Sequence, residues 1–96
     1  MREGKTSSGF EFAFDEKRLN DMRLVDALAD VVNVNVPELK RIIALSQVIE
    51  RLVGAETKEK LYEHIASYND GLVPSGALEK ELQEILTAEP GNTTKN

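Results

Sequence analysis

Histidine and carboxylate side chains are the residues of this chain with the chemistry for catalysis or metal binding, and their spacing favours neither. His64 is the one histidine, and the sequence has no cysteine. A metal site built on nitrogen or sulfur ligands needs several such residues. His64 is therefore predicted to be an ordinary surface side chain on a helix, and we expect neither a metal ion nor a catalytic role there.

The remaining polar candidates also have the spacing of structural residues. Glu79, Glu81 and Glu84 follow the pattern of a solvated helix face, whereas paired catalytic acids need burial to separate their pKa values. Ser46 lies in an apolar helix, where a hydroxyl usually bonds to a backbone carbonyl. The glycines form no phosphate-binding loop. We expect a protein that is not an enzyme and holds no cofactor.

Composition narrows the class of partner. The 96 residues predict one small domain with a formal net charge of −5. Nucleic-acid binding requires clustered basic residues, and the densest runs here are single pairs, Lys17-Arg18 and Lys40-Arg41. No apolar run approaches the roughly 20 residues of a membrane span, and Met1–Thr6 lacks the apolar stretch of a signal peptide. The expected partners are proteins, not nucleic acid or membrane, and the expected location is the cytoplasm.

An aromatic segment leads the chain. Phe10, Phe12 and Phe14 alternate with polar or small residues, which is the pattern of a β-strand with one apolar face. A lone strand leaves its hydrogen bonds unmade, so it must pair either with residues 1–7 folded back or with another subunit. Residues 1–8 hold no pattern of their own and are otherwise expected to be a flexible N-terminus.

Four helices are predicted after the strand. They run from near Asp15, with a second start signal at Asp21; from about Pro37 to Val53, ending at Gly54; from roughly Thr57 to Tyr68; and from Pro74-Ser75 to Glu89. The fold class is therefore mainly α, with a short N-terminal strand or hairpin and about four helices packed around a central one. Residues 9–88 form the single domain, and residues 89–96 a disordered tail.

The second helix is the predicted centre of the domain. Its apolar residues cover most of its circumference, so we expect it to be packed on more than one side. They are Leu39, Ile42, Ile43, Leu45, Val48, Ile49, Leu52 and Val53.

Two apolar sets have alternative interpretations. The stripe of the last helix, which includes Leu82 and Leu86, fits core packing or a partner-binding face. The aromatic strand fits core packing or, through an unpaired edge, contact with another subunit or partner. The candidate contact residues for a partner or for self-association are Phe10, Phe12, Phe14, Leu82 and Leu86.

Two stretches of the chain resemble a known family. Residues 9–29 read GFEFAFDEKRLNDMRLVDALA, and residues 52–64 read LVGAETKEKLYEH, followed at residues 69–74 by NDGLVP. An aromatic strand entering an acidic helix, a Leu-Gly-x-Glu-x-x-x-x-Leu-Tyr-x-His-like segment and an Asp-Gly-x-Val-Pro turn are similar to the tail assembly chaperones of siphophages and prophages. These small proteins are encoded before the tape-measure gene.

The resemblance implies a non-enzymatic helical protein that binds and solubilises the tape-measure protein. It also implies help in recruiting tail-tube subunits, weak homo-oligomers and a location in the cytoplasm of the bacterial host. Two other classes stay open at this point: a small phage structural protein such as a head–tail connector, and a helical regulator that binds protein or DNA. The charge of the chain disfavours the regulator.

Overall fold

The computed structural model describes residues 1–88, and the predicted disordered tail at 89–96 lies outside the described residues. A two-stranded antiparallel hairpin is followed by one 3-10 helix and four α-helices, which confirms the predicted fold class. The elements are β1 (Arg2–Lys5), β2 (Glu11–Phe14), the 3-10 helix (Glu16–Asn20), α1 (Met22–Val32), α2 (Glu38–Val53), α3 (Ala55–Ser67) and α4 (Ser75–Thr87).

The aromatic strand β2 pairs with β1 in an antiparallel hairpin. Of the two expectations for the N-terminus, a flexible segment or a strand folded back, the structure has the strand: Arg2 pairs with Phe14, and Gly4 with Phe12. Because successive side chains alternate between faces, Phe12 and Phe14 lie on the inner face of β2, and Phe10, just before the strand, is buried with them. The hairpin satisfies the strand's hydrogen bonds within one chain.

A tight turn from Thr6 to Phe10 closes the hairpin. The backbone N–H of Thr6 donates to the Phe10 carbonyl, and that of Gly9 donates to the Thr6 carbonyl, each at 2.9 Å. Gly9 has φ +98°, a conformation that favours glycine because it has no Cβ. The Thr6 hydroxyl accepts from the Phe10 N–H at 3.2 Å, and Thr6 is buried while Ser7, Ser8 and Gly9 of the turn are exposed.

Two aspartates start the helical part of the chain. The Asp15 side chain accepts a hydrogen bond from the Lys17 N–H and caps the 3-10 helix. The Asp21 side chain accepts from the Arg23 N–H at 2.9 Å and caps α1. Both predicted start signals are therefore used, and the short 3-10 helix separates them.

Helix α2 is the centre of the domain, as predicted. It contacts the 3-10 helix, α1, α3, α4 and β2. Pro37 precedes its first turn, and Gly54, at φ +91°, ends it and leads directly into α3. Its buried residues are Ala44, Leu45, Val48, Ile49 and Leu52.

The expectation that α2 is packed on more than one side is wrong for its first two turns. Leu39, Ile42 and Ile43 are exposed, and every buried residue of α2 lies at Ala44 or beyond. The buried side of α2 begins at Ala44, and the core of so small a domain is too small to cover both sides of the first turns.

Helices α3 and α4 complete the core. Leu61 and Ile65 of α3 and Ile85 of α4 have no exposed surface, and Leu78 and Leu82 are buried beside them. Among residues 1–88, no helix combines the length and the apolar character that crossing a membrane requires.

Replacing Phe12 tests the hairpin's share of the core. Phe12→Ala is expected to lower the free energy of unfolding by about 3–5 kcal/mol, because it removes a buried ring and leaves a cavity. Urea denaturation followed by circular dichroism measures this. Glu11→Ala, on the exposed face of the same strand, is the control and should change stability by less than about 0.5 kcal/mol. A loss below about 1 kcal/mol for Phe12→Ala contradicts a packed hairpin.

Candidate binding surfaces

The five predicted contact residues all lie in the hydrophobic core or against it. Phe10, Phe12, Phe14 and Leu82 are buried, and Leu86 is half-buried and packs on the same cluster. A partner can reach these side chains only if they leave the core. Self-association through them stays a prediction, and the residues available to a partner in the folded chain lie elsewhere.

The structure brings together a group of polar residues that the sequence pattern separates. This hairpin-tip cluster consists of Ser8 on the turn of the hairpin, His64 and Tyr68 at the end of α3, and Glu81 on α4. The Ser8 hydroxyl donates to Glu81 Oε2 at 2.6 Å, and the Tyr68 hydroxyl donates to the same oxygen at 2.9 Å. His64 Nε2 lies 3.0 Å from Ser8 Oγ.

The hairpin-tip cluster has the residue types of nucleophilic catalysis but not the arrangement. His64 Nε2 also lies 3.2 Å from the Ser8 carbonyl oxygen, and a carbonyl only accepts hydrogen bonds, so that contact requires the tautomer with the proton on Nε2. The hydrogen of the Ser8 hydroxyl is directed at Glu81 and not at His64. A serine nucleophile needs the opposite arrangement, with the histidine as acceptor.

The aromatic rings of the cluster explain its position. The His64 imidazole lies between two rings, 5.5 Å from Phe10 and 5.6 Å from Tyr68 between centroids. His64 is thus half-buried and holds the hairpin against α3, which corrects the prediction of an ordinary surface histidine. Its chemistry here is packing and hydrogen bonding.

Glu81 is the charged residue that the helical pattern misplaces. It is only 3% exposed, and its Oε1 has no hydrogen-bond partner within the described chain. The sequence holds a signal for this burial, because Glu81 stands three positions after Leu78 and four before Ile85, on the apolar stripe of α4. Burial, together with hydrogen bonding to Glu81, raises the pKa of the Tyr68 phenol, so this hydroxyl stays a donor.

A second contact anchors the same turn at the neighbouring serine. Glu84 accepts from the Ser7 backbone N–H at 2.6 Å and from the Ser7 hydroxyl at 2.7 Å. These two hydrogen bonds, the backbone one first, hold the pKa of the Glu84 carboxyl below its usual value. The hairpin turn is therefore fixed to α4 at two successive serines.

The clearest surface for a partner is apolar and lies on the first two helices. We call it the α1–α2 surface, and its residues expose between 37% and 80% of their area. They lie on α1, on the turn after it and on the first two turns of α2. They are Val25, Val32, Val34, Leu39 and Ile43.

The turn between α1 and α2 is closed by hydrogen bonds of Asn33 and leaves its apolar side chain exposed. The Asn33 side chain accepts from the Asn35 N–H at 2.9 Å, and the Asn33 carbonyl accepts from the Val36 N–H at 3.1 Å. Such turns are typical of asparagine and satisfy the backbone without burying side chains. Val34 between them is left 80% exposed.

An apolar groove of about 350 Å³ lies beside the α1–α2 surface. Ile42 is exposed at its edge, one helical position from Ile43. The groove joins α2, α3 and the start of α4, and its lining is Ile42, Leu45, Ser46, Tyr62, Val73, Ser75 and Leu78.

Residues 1–88 hold no group of three or more histidine, aspartate or glutamate side chains placed to bind a metal ion. Comparison of the chain with protein-family models, with curated proteins and with solved structures finds no match.

Replacing Ser8 tests the structural role of the hairpin-tip cluster. Ser8→Ala is expected to lower the free energy of unfolding by about 1–3 kcal/mol, because the buried Glu81 carboxylate loses one of its two donors. Thermal and urea unfolding measure the change. Ser67→Ala is the matched control, since that hydroxyl bonds only to a carbonyl of its own helix and its loss should cost less. Equal stability of Ser8→Ala and the parent chain contradicts the assignment.

The Glu84 contact predicts a pH-dependent contribution to stability. Because the folded-state pKa of Glu84 is lowered, its two hydrogen bonds stabilise the fold fully above about pH 4.3, the ordinary pKa of glutamate, and less as pH falls through the folded pKa. Glu84→Gln should therefore be less stable than the parent at pH 7, and the difference should shrink by pH 3. Glu79→Gln, on the same helix, controls for net charge. A difference that stays constant from pH 7 to pH 3 contradicts the prediction.

Proposed function

We propose that this protein is a non-enzymatic tail assembly chaperone of a phage or prophage with a long, non-contractile tail. In this proposal it binds and solubilises the tape-measure protein in the cytoplasm of the bacterial host and helps to recruit tail-tube subunits. The resemblance of residues 9–29 and 52–74 to that family supports it. The observation that carries it is the exposed α1–α2 surface.

The α1–α2 surface is unfavourable unless something covers it. Each square ångström of apolar area in water costs about 25 cal/mol relative to burial, and soluble monomers rarely expose large aliphatic groups side by side. Leu39 and Val34 expose 70% and 80% of their surfaces. Exposed aliphatic side chains of this size favour the binding of a partner at the α1–α2 surface.

An amphipathic helix is the partner that fits such a surface. Helices bind apolar grooves through residues spaced three and four apart, and Leu39, Ile42 and Ile43 have that spacing on α2. The groove beside Ile42 extends the contact towards α3 and α4. A tape-measure protein is a long helical client that presents many segments of this kind.

Weak sites are sufficient for a client of that length. When several copies bind along one chain, and when the copies also associate weakly with one another, the effective affinity rises without any new contact. The net charge of −5 keeps a loaded assembly soluble. The proposal therefore includes weak homo-oligomers and no catalytic step.

The geometry of the hairpin-tip cluster supports the non-enzymatic part of the proposal. Ser8, His64 and Glu81 have the residue types of a nucleophile, a base and an acid, and their hydrogen bonds hold the hairpin turn in place. The proposal assigns no catalytic step to these three residues.

Co-expression with the tape-measure protein encoded beside it tests the proposal. The client should be soluble with the parent chain and insoluble alone. With Leu39→Glu/Ile43→Glu it should be largely insoluble, because two lost apolar contacts weaken each site at least about tenfold. Lys40→Glu, exposed on the same helix, makes the same change of two charges without removing an apolar contact and is the control.

Two outcomes contradict the proposal. If the client is equally insoluble with and without the parent chain, the protein is not its chaperone. If the double variant, shown to be folded by circular dichroism, keeps the client soluble, the α1–α2 surface is not the client site.

A further inference from the structure

Folding gathers three arginines that are far apart in the sequence. Arg18 of the 3-10 helix, Arg23 of α1 and Arg51 of α2 line one cleft of about 500 Å³, together with Gln47 and Glu50. We call this the arginine cleft. Each arginine comes from a different element, so the site does not show as a run of basic residues in the sequence. The chain as a whole is acidic.

The acidic residues at the arginine cleft already have partners. Glu50 accepts from Lys58 Nζ at 2.6 Å, and this hydrogen bond lowers the pKa of Glu50. Asp21 accepts from the Arg23 backbone N–H and from Arg51 Nη1, at 2.9 and 3.3 Å, and the backbone bond is the main cause of its lowered pKa. Within the described chain, neither carboxylate forms an ion pair with Arg18 or Arg23.

Two of the three guanidinium groups have no carboxylate partner in the described part of the chain. Arg18 Nη1 donates to the Arg51 backbone carbonyl at 2.9 Å, which orients the group without neutralising it. The Arg23 side chain has no ion pair or hydrogen bond within residues 1–88. The cleft therefore retains positive charge and free donors that point to an anionic ligand.

We propose that the arginine cleft binds carboxylate side chains of an acidic peptide segment in a partner protein. A guanidinium offers planar, paired N–H donors that match the two oxygens of a carboxylate. Arg18 is held in place by its bond to the end of α2, and the exposed Arg23 side chain leaves its donors available. This site is separate from the α1–α2 surface and does not rest on the proposed chaperone function.

Size and charge favour a peptide over nucleic acid. A nucleic acid needs a basic stripe that follows several phosphates, and this cleft is local on a chain of net charge −5. Two free guanidiniums engage one or two carboxylates. Because Arg18 and Arg23 are exposed, binding should be weak and should fall as salt is added.

Titration of the full-length chain with a ten-residue glutamate peptide, followed by two-dimensional ¹⁵N NMR, tests this site. At low salt we expect saturable shifts of the Arg18, Arg23 and Arg51 side-chain Nε–H signals, with the affinity falling as salt rises. Arg23→Gln should weaken binding about threefold, the size expected of one exposed ion pair. Lys40→Gln removes the same charge from an exposed site on α2 and should leave the affinity within about 1.5-fold of the parent.

Three results would overturn the inference. One is the absence of saturable shifts at the three arginines. Another is an equal loss of affinity in Arg23→Gln and Lys40→Gln, which would indicate general charge attraction. The third is tighter binding of a ten-residue oligothymidylate than of the glutamate peptide at the same cleft, which would assign the cleft to phosphate groups.

Discussion

The fold depends on the burial of one side of α2. Helix α2 contacts the 3-10 helix, the other three α-helices and β2. Its buried residues form the surface against which these elements pack, and they are Ala44, Leu45, Val48, Ile49 and Leu52. A chain of 96 residues has a small core and a small margin of stability, so these contacts leave little room for a second apolar layer. The aromatic hairpin is therefore drawn into the same core.

This constraint divides the apolar residues of the chain into two groups. One group is buried in the core and includes the three phenylalanines that the sequence offers as partner contacts. The other lies near the turn between α1 and α2 and is exposed, as Val32, Val34 and Leu39 are. The exposed α1–α2 surface is thus a consequence of how far the core extends.

Local signals in the sequence are enough to predict the helices and the hairpin strand, but not which residues are exposed or which polar residues come together. Pro37, Gly54 and the alternation around Phe12 fix boundaries and faces through backbone geometry, which a short window reveals. The exposure of Leu39 depends on which elements reach α2, and the hairpin-tip cluster joins residues more than fifty positions apart. Such sites arise only from tertiary packing. The local sequence signal for them is Glu81, a charged residue within the apolar stripe of α4.

Hydrogen–deuterium exchange of the protein, alone and bound to the tape-measure protein, tests most directly whether the α1–α2 surface is the client site. Exchange at the backbone amides of residues 33–41 should slow on binding, because these amides lie in the turn and the first turn of α2 beside the exposed valines and Leu39. The hairpin should keep its rates. Protection confined to the hairpin or to α4, with no change at residues 33–41, would contradict this account.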